Sequence, residues 1–415
     1  MLRGEEMKKS TLANGMTIIT YNSENSKVCT LAYLIKAGSY DELDNEHGIA
    51  HLVEHLLFKG TINRDYLQIN KDIESVGGYL NAHTSFQHTK YFCTVPFDQW
   101  QTGLDVLSDV VFNNTIPEEE FDKEKKVVQE ELKMYTDDAG SFVTNKLFEE
   151  IFINHENRRS IGGTINSVEQ ITREDVLDFI TRNYFPSNIV LIANGNVDHD
   201  AIVKFADEYM KNLNIDFVEY QKGYDKFKKH DLNYQIKKLK RSNIEQTYLS
   251  FGMFGPDYNH EDMIPIELLT MMLGGNSSSF LFDTIREQRG LAYTISTGLE
   301  KMSDVSVICG YAGLNNDNDI EHVIADITDI ILNVKSKITE DLLESTKAYV
   351  IGMLYLSVET TSNMNLFLAE KILYNDDMDI ESQIEKINNV TIKDINRVID
   401  RYIKKENLLF VSLSK

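Results

Sequence analysis

The chain has 415 residues, with 42 Lys and Arg against 65 Asp and Glu and a formal net charge of −23. That length calls for two or more domains with ample core, and the acidity speaks against nucleic acid as a partner. No apolar stretch of 18 residues is present to cross a membrane.

The first residues, Met1 to Lys9, lack the apolar centre of a secretion signal. The three cysteines (Cys29, Cys93, Cys309) sit in strand-like runs without C-x-x-C spacing, as small buried hydrophobes do. An odd count favours a reducing compartment, so a cytoplasmic location is expected. Strand-like runs at 16–21, 29–36, 91–95 and 189–194 lie between longer helical stretches. Hairpin-like strands segregated from helices indicate an α+β fold.

Between the second and third of these runs lies a helix from Ile49 to Phe58 that is apolar nearly all round, the mark of a buried helix. It carries His51, Glu54 and His55. Side chains at i, i+3 and i+4 share one helical face. Two imidazoles one turn apart can grip a metal ion, and a carboxylate beside them can take a proton from water. Burying all three is costly unless they are paired or coordinate something.

A tetrahedral zinc ion needs one more protein ligand and a position for water. The acidic helix from Glu118 to Tyr135 opens after Pro117, a common helix-opening residue. At about 100° per residue, Phe121, Val127, Val128, Leu132, Met134 and Tyr135 form its apolar stripe, with Glu124 and Glu131 inside it and Glu130 on the lysine side. Helical geometry therefore selects Glu131 over its neighbour. The alternative for Glu124 and Glu131 is pairing with Arg or Lys elsewhere.

The string Gly48-Ile-Ala-His51-Leu-Val-Glu54-His55-Leu-Leu-Phe-Lys-Gly60-Thr61 resembles the signature of the inverzincin zinc peptidases, the pitrilysin, insulysin and mitochondrial processing peptidase family. In that family a glutamate some 75 residues after the second His completes the zinc site, with another glutamate seven residues before it. Glu131 follows His55 by 76 residues and Glu124 by 69. The resemblance thus implies one Zn²⁺ on His51, His55 and Glu131, with Glu54 as the catalytic acid–base and Glu124 orienting Glu131 or a neighbouring imidazole. It also implies that Asn81, Ala82, His83 and Thr84, after Gly77-Gly78, belong to an edge strand that binds substrate. Such a strand can accept an extended peptide through its free backbone groups. Arg286 and Tyr293 resemble the family pair that holds the substrate carbonyl and its oxyanion.

At an offset of 215 the chain echoes itself. Tyr33 maps to Tyr248 and Gly60 to Gly275, while His51, Glu54 and His55 become Ile266, Leu269 and Thr270. The expected organisation is a zinc-bearing domain over 1–215, a linker over 216–240, and a related domain without zinc ligands over 241–415. Each would carry a mostly antiparallel sheet packed by helices, in the LuxS/MPP-like metallohydrolase fold, together forming half of a clamshell. The implied activity is a zinc metalloendopeptidase acting on peptides or unfolded protein segments in a closed chamber. A non-catalytic peptide-binding or structural subunit is the alternative. Because one chain carries both the zinc motif and the Arg/Tyr pair, a homodimer is expected, with Arg286 and Tyr293 acting on the partner's site. Two departures from the family pattern stand out. Phe280 occupies a position where Arg is usual, and Asp137-Asp138-Ala139-Gly140 lacks the customary Pro.

Overall fold

A computed structural model describes residues 5–153, 155, 160–213, 215, 217, 219, 227–314, 320–376 and 379–415. The strands are β1 (Glu5–Thr11), β2 (Thr17–Ser23), β3 (Val28–Ile35), β4 (Tyr79–Thr84), β5 (Thr89–Pro96), β6 (Ile189–Gly195), β7 (Gln235–Lys240), β8 (Thr247–Gly255), β9 (Ala292–Lys301), β10 (Ser306–Leu314) and β11 (Leu409–Ser414). The helices of the first half are α1 (Ile49–Leu57), α2 (Tyr66–Ser75), α3 (Trp100–Phe112), α4 (Glu118–Asp137), α5 (Ala139–Ile151), α6 (Ile165–Gln170), α7 (Arg173–Asn183) and α8 (His199–Asn212). Those of the second are α9 (Met263–Thr270), α10 (Ile320–Leu332), α11 (Glu340–Ser357), α12 (Thr361–Leu373), α13 (Ile380–Asn389) and α14 (Ile392–Tyr402). No helix among the described residues is long and apolar enough to cross a membrane.

Two compact units form. The first takes in 1–133, 159–223 and 357–375; the second takes in 134–158, 224–356 and 376–415. They cut across the contiguous blocks 1–215 and 241–415 that the repeat suggests. Helix α5, from the N-terminal half, packs on β8 and β11, and α12, from the C-terminal half, packs on β3 and β6. The expected linker is also partly structured. Its Gln235–Lys240 is an edge strand whose lysines guard the open side, while its Lys222 and Lys226 lie outside the described residues.

The first unit holds a six-stranded sheet in the order β1-β2-β6-β3-β5-β4, antiparallel except for β2 against β6. Alternation along the strands sorts its two faces. Leu31, Tyr33 and Ile35 of β3 and Tyr91 and Cys93 of β5 enter a core with α1 and α3. On the other face Thr30 donates to Thr361 Oγ1 (2.9 Å), and the α12 side chain Asn365 donates to Asn194 Oδ1 (2.9 Å).

The start of α1 is fixed by two devices. Gly48 takes φ 93°, and a Cβ there would sit 2.6 Å from Gly162 O, so only glycine fits. Buried Glu42 then replaces a cap side chain: its two oxygens accept from the backbone N–H of Gly48 (3.0 Å) and Ala50 (3.1 Å). Ile49, Ala50, Leu52, Val53, Leu56 and Leu57 are buried around the helix.

The second unit holds a five-stranded sheet in the order β7-β11-β8-β10-β9, antiparallel except for β7 against β11. Taking β2, β3, β4, β5 and β6 as the counterparts of β7 to β11 makes the two strand orders match, with β1 the one strand left over. α9 stands where α1 does, between the second and third strands of the pattern. It runs into a π-helical stretch, Met271–Gly275.

Candidate metal centre

The His51 and His55 rings leave α1 one turn apart, edge to face at 4.7 Å between centroids. Glu131 reaches them from α4: its Oε2 lies 3.8 Å from His51 Nε2 and 3.4 Å from His55 Nε2. One ligand atom from each of the three falls within 4.8 Å of the others, and no second such group of His, Cys, Asp or Glu occurs among the described residues. Two imidazole nitrogens and a carboxylate oxygen are ordinary zinc donors. The set fits that ion.

Glu124, on the same helix as Glu131, accepts from His55 Nδ1 (2.9 Å) with one oxygen and from Lys59 Nζ (2.8 Å) with the other. Of the two roles expected for it, the structure places it on an imidazole. Its side chain is only 5% exposed. Burial alone would raise its pKa, but the bonds from His55 and Lys59 hold it below the usual carboxylate range. For His55, burial pulls downward and is outweighed by the Glu124 hydrogen bond and the nearby carboxylates, so its pKa rises. His51 goes the other way. Burial, then the adjacent His55, bring it down to about 4, with Glu131 opposing. Its ring is therefore neutral at physiological pH, with a nitrogen lone pair free to bind a metal. The ring packs beside Gly162, where a Cβ would come 2.8 Å from Leu132 Cδ2 and 3.4 Å from His51 Nδ1. That Nδ1 is buried without a hydrogen-bond partner.

Glu54 points to the opposite neighbour, β4. Thr84 Oγ1 donates to Glu54 Oε2 at 2.6 Å. Burial raises the Glu54 pKa against the bonds from Thr84.

The other expected site residues divide by unit. Asn81, Ala82, His83 and Thr84 lie on β4, at the edge of the first sheet. The Ala82 N–H donates to Asn81 Oδ1 (2.8 Å), and the His83 and His88 Nε2 atoms lie 3.1 Å apart. Arg286, in a π-helical turn, and Tyr293, on β9, belong to the second unit. The guanidinium lies 5.7 Å from the Tyr293 ring centre and 4.6 Å from that of Phe282.

One expectation about α4 fails. Phe121, Val128 and Leu132 are buried with Glu124, but Val127, Met134 and Tyr135 are exposed. The covered stripe is narrower than the apolar one, and Met134 and Tyr135 lie beyond Lys133, where the helix leaves the first unit. Lys59 and the Thr84–Glu54 bond are further parts of the site that the sequence pattern does not single out. A lysine four residues after His55, on the face that bears it, was the available sign of the first.

Comparison with known proteins gives this arrangement its context. The insulinase (peptidase family M16) model matches residues 17–165, and the model for the peptidase M16 inactive domain matches 170–350. An uncharacterized zinc protease of Mycobacterium tuberculosis is 30% identical over 397 residues, which is 94% of this chain and 89% of that protein. The chain belongs to the M16 peptidase family. An uncharacterized zinc protease of Rickettsia bellii is 29% identical over 405 residues, covering 96% of this chain and 95% of its own. In three dimensions a protease from Helicobacter pylori superimposes with a TM-score of 0.92 at 24% identity, covering 99% of this chain and all of that one. A peptidase M16 inactive domain from Pseudomonas fluorescens gives 0.90 at 17%, covering 99% of this chain and 98% of that one. In this M16 chain the candidate ligands lie within the stretch matched by the insulinase model, and the inactive-domain model falls on the half without them.

Proposed function

We propose that this chain is a zinc-dependent metalloendopeptidase that cleaves peptides or unfolded protein segments. The observation that carries the reading is the convergence of His51, His55 and Glu131 next to the half-buried carboxylate of Glu54. Zinc held by those three side chains would polarise a peptide carbonyl and ease proton loss from water.

The remaining steps belong to the chain's own residues. Glu54, held at Oε2 by Thr84, takes the proton from the attacking water and returns it to the leaving amine nitrogen. Glu124 keeps Nδ1–H of His55 engaged, so Nε2 is the nitrogen turned toward Glu131. Asn81 to Thr84, on the open edge of the first sheet, receive the substrate as an added strand, reading its backbone before its side chains. Arg286 and Tyr293 supply donors to the developing oxyanion, reaching the site of the partner copy in a homodimer. The chamber so closed would be cytoplasmic, and acidic walls would draw in basic peptides.

The non-catalytic alternative gains little from the inactive-domain match, because residues 170–350 contain none of the proposed zinc ligands. Cleavage of a quenched peptide, with and without a chelator, tests the reading. Wild type should cleave and lose activity on chelation, and Glu54→Gln should not cleave. Equal cleavage by Glu54→Gln would overturn it.

A further inference from the structure

We propose that Lys59 is a positioning residue of the metal centre, holding Glu124 so that Glu124 sets which nitrogen of His55 faces the ion. This rests on the reading of His51, His55 and Glu131 as zinc ligands.

The geometry begins at the end of α1. Phe58 caps the helix in a helical conformation, and the Lys59 N–H still donates to Leu56 O (3.0 Å). Lys59 thus lies in the turn that closes the helix, four positions after His55, and both side chains reach the same carboxylate. That carboxylate, Glu124 on α4, is held at both oxygens, by an imidazole N–H at 2.9 Å and an ammonium at 2.8 Å.

An exposed lysine–glutamate pair would add little, but Glu124 is almost fully enclosed. A carboxylate in such a place needs a cation, or it turns away or takes up a proton. A neutral imidazole can satisfy one oxygen without compensating the charge. Lys59 supplies what His55 cannot. With the ammonium in place, Glu124 demands a proton on His55 Nδ1, and this leaves the lone pair on Nε2, the nitrogen 3.4 Å from Glu131 Oε2. Without it, either nitrogen of His55 can carry the proton, and the donor set loses its fixed arrangement.

Two readouts on the purified full chain test this, and neither uses substrate. The first is zinc affinity, by competition with a chromophoric chelator. Lys59→Met should weaken it about 10- to 100-fold, the usual effect of losing such a partner. Lys59→Arg should stay close to wild type, and Lys59→Met placed in a Glu124→Gln background should add nothing further. The second is nitrogen NMR of histidine-labelled, metal-free protein at alkaline pH. His55 should carry its proton on Nδ1 in wild type and Lys59→Arg, and divide between tautomers in Lys59→Met. Circular dichroism of each variant separates these effects from misfolding.

Wild-type affinity and a wild-type tautomer in Lys59→Met would overturn the proposal. So would a weakening that persists undiminished in the Glu124→Gln background, or one that Lys59→Arg fails to restore. A wild type that binds zinc but cleaves nothing would sink the endopeptidase reading and leave this one standing. A wild type that binds no zinc would sink both.

Discussion

The two units share one strand pattern and differ in what their matching helices carry. In the first, α1 presents His51, Glu54 and His55; at the equivalent positions of the second, Ile266, Leu269 and Thr270 are buried. The hydroxyl of Thr270, which stands where His55 does, has no hydrogen-bond partner. The fold alone therefore does not require polar groups on this helix. In the first unit two of them are held from outside, Glu54 by Thr84 and His55 by Glu124 with Lys59, while His51 Nδ1 is buried without a partner. A site of this kind is a helix face plus the neighbours that make burying it tolerable.

Breaking the comparison at its most sensitive point should have the largest effect. Glu54→Gln should lower kcat by on the order of 10²- to 10⁴-fold while leaving zinc content unchanged, checked by steady-state assays and metal analysis. Mixing inactive Glu54→Gln with inactive Tyr293→Phe then tests the proposed sharing between copies. Activity should return on subunit exchange, and no recovery despite exchange would defeat the shared site.

A second way to break it is to rewrite the first helix as the second. The triple change His51→Ile, Glu54→Leu, His55→Thr should abolish zinc binding yet preserve the fold, as judged by circular dichroism. The converse probe touches only the second unit. Ile266→Ala should cost about 2–4 kcal/mol of stability, measured by denaturant unfolding, with zinc affinity in the chain unchanged.

The smallest expected effect concerns pH. Burial pushes His83 down to about 4 and His88 to about 3, with Lys90 adding to both. Their folded pKa values lie below the unfolded value near 6.5, so between those limits the unfolded chain binds more protons. Their contribution to stability is complete above about pH 6.5 and is lost as the pH drops toward 4. His88→Gln should remove part of that slope, a difference on the order of 1–2 kcal/mol at pH 5. Thermal unfolding at pH 5 and 7.5 measures it, and equal slopes in wild type and variant would contradict it.

The α+β class and the strands β2, β3, β5 and β6 were legible because alternation and apolar runs report strands directly. His51, Glu54 and His55 were legible because helical spacing puts them on one face, and Glu131 because the face of α4 and the family resemblance selected the same residue. What escaped was set by tertiary structure. Periodicity cannot tell which sheet a helix will cover, so the exchange of α5 and α12 between units left no local trace. The apolar stripe of α4 could not reveal that Val127, Met134 and Tyr135 go uncovered. β7 passed for linker because an edge strand armed with Lys237, Lys238 and Lys240 looks like a solvated segment. Lys59 stands within the quoted motif, four residues after His55, but its partner is 65 residues away, so its role left no local trace.

Metal analysis of purified, zinc-replete wild type beside Glu131→Gln tests the central claim most directly. One zinc per chain in wild type, with a large loss of affinity in Glu131→Gln, is the predicted result. Wild-type protein without stoichiometric zinc, or Glu131→Gln that binds zinc as tightly as wild type, would contradict it.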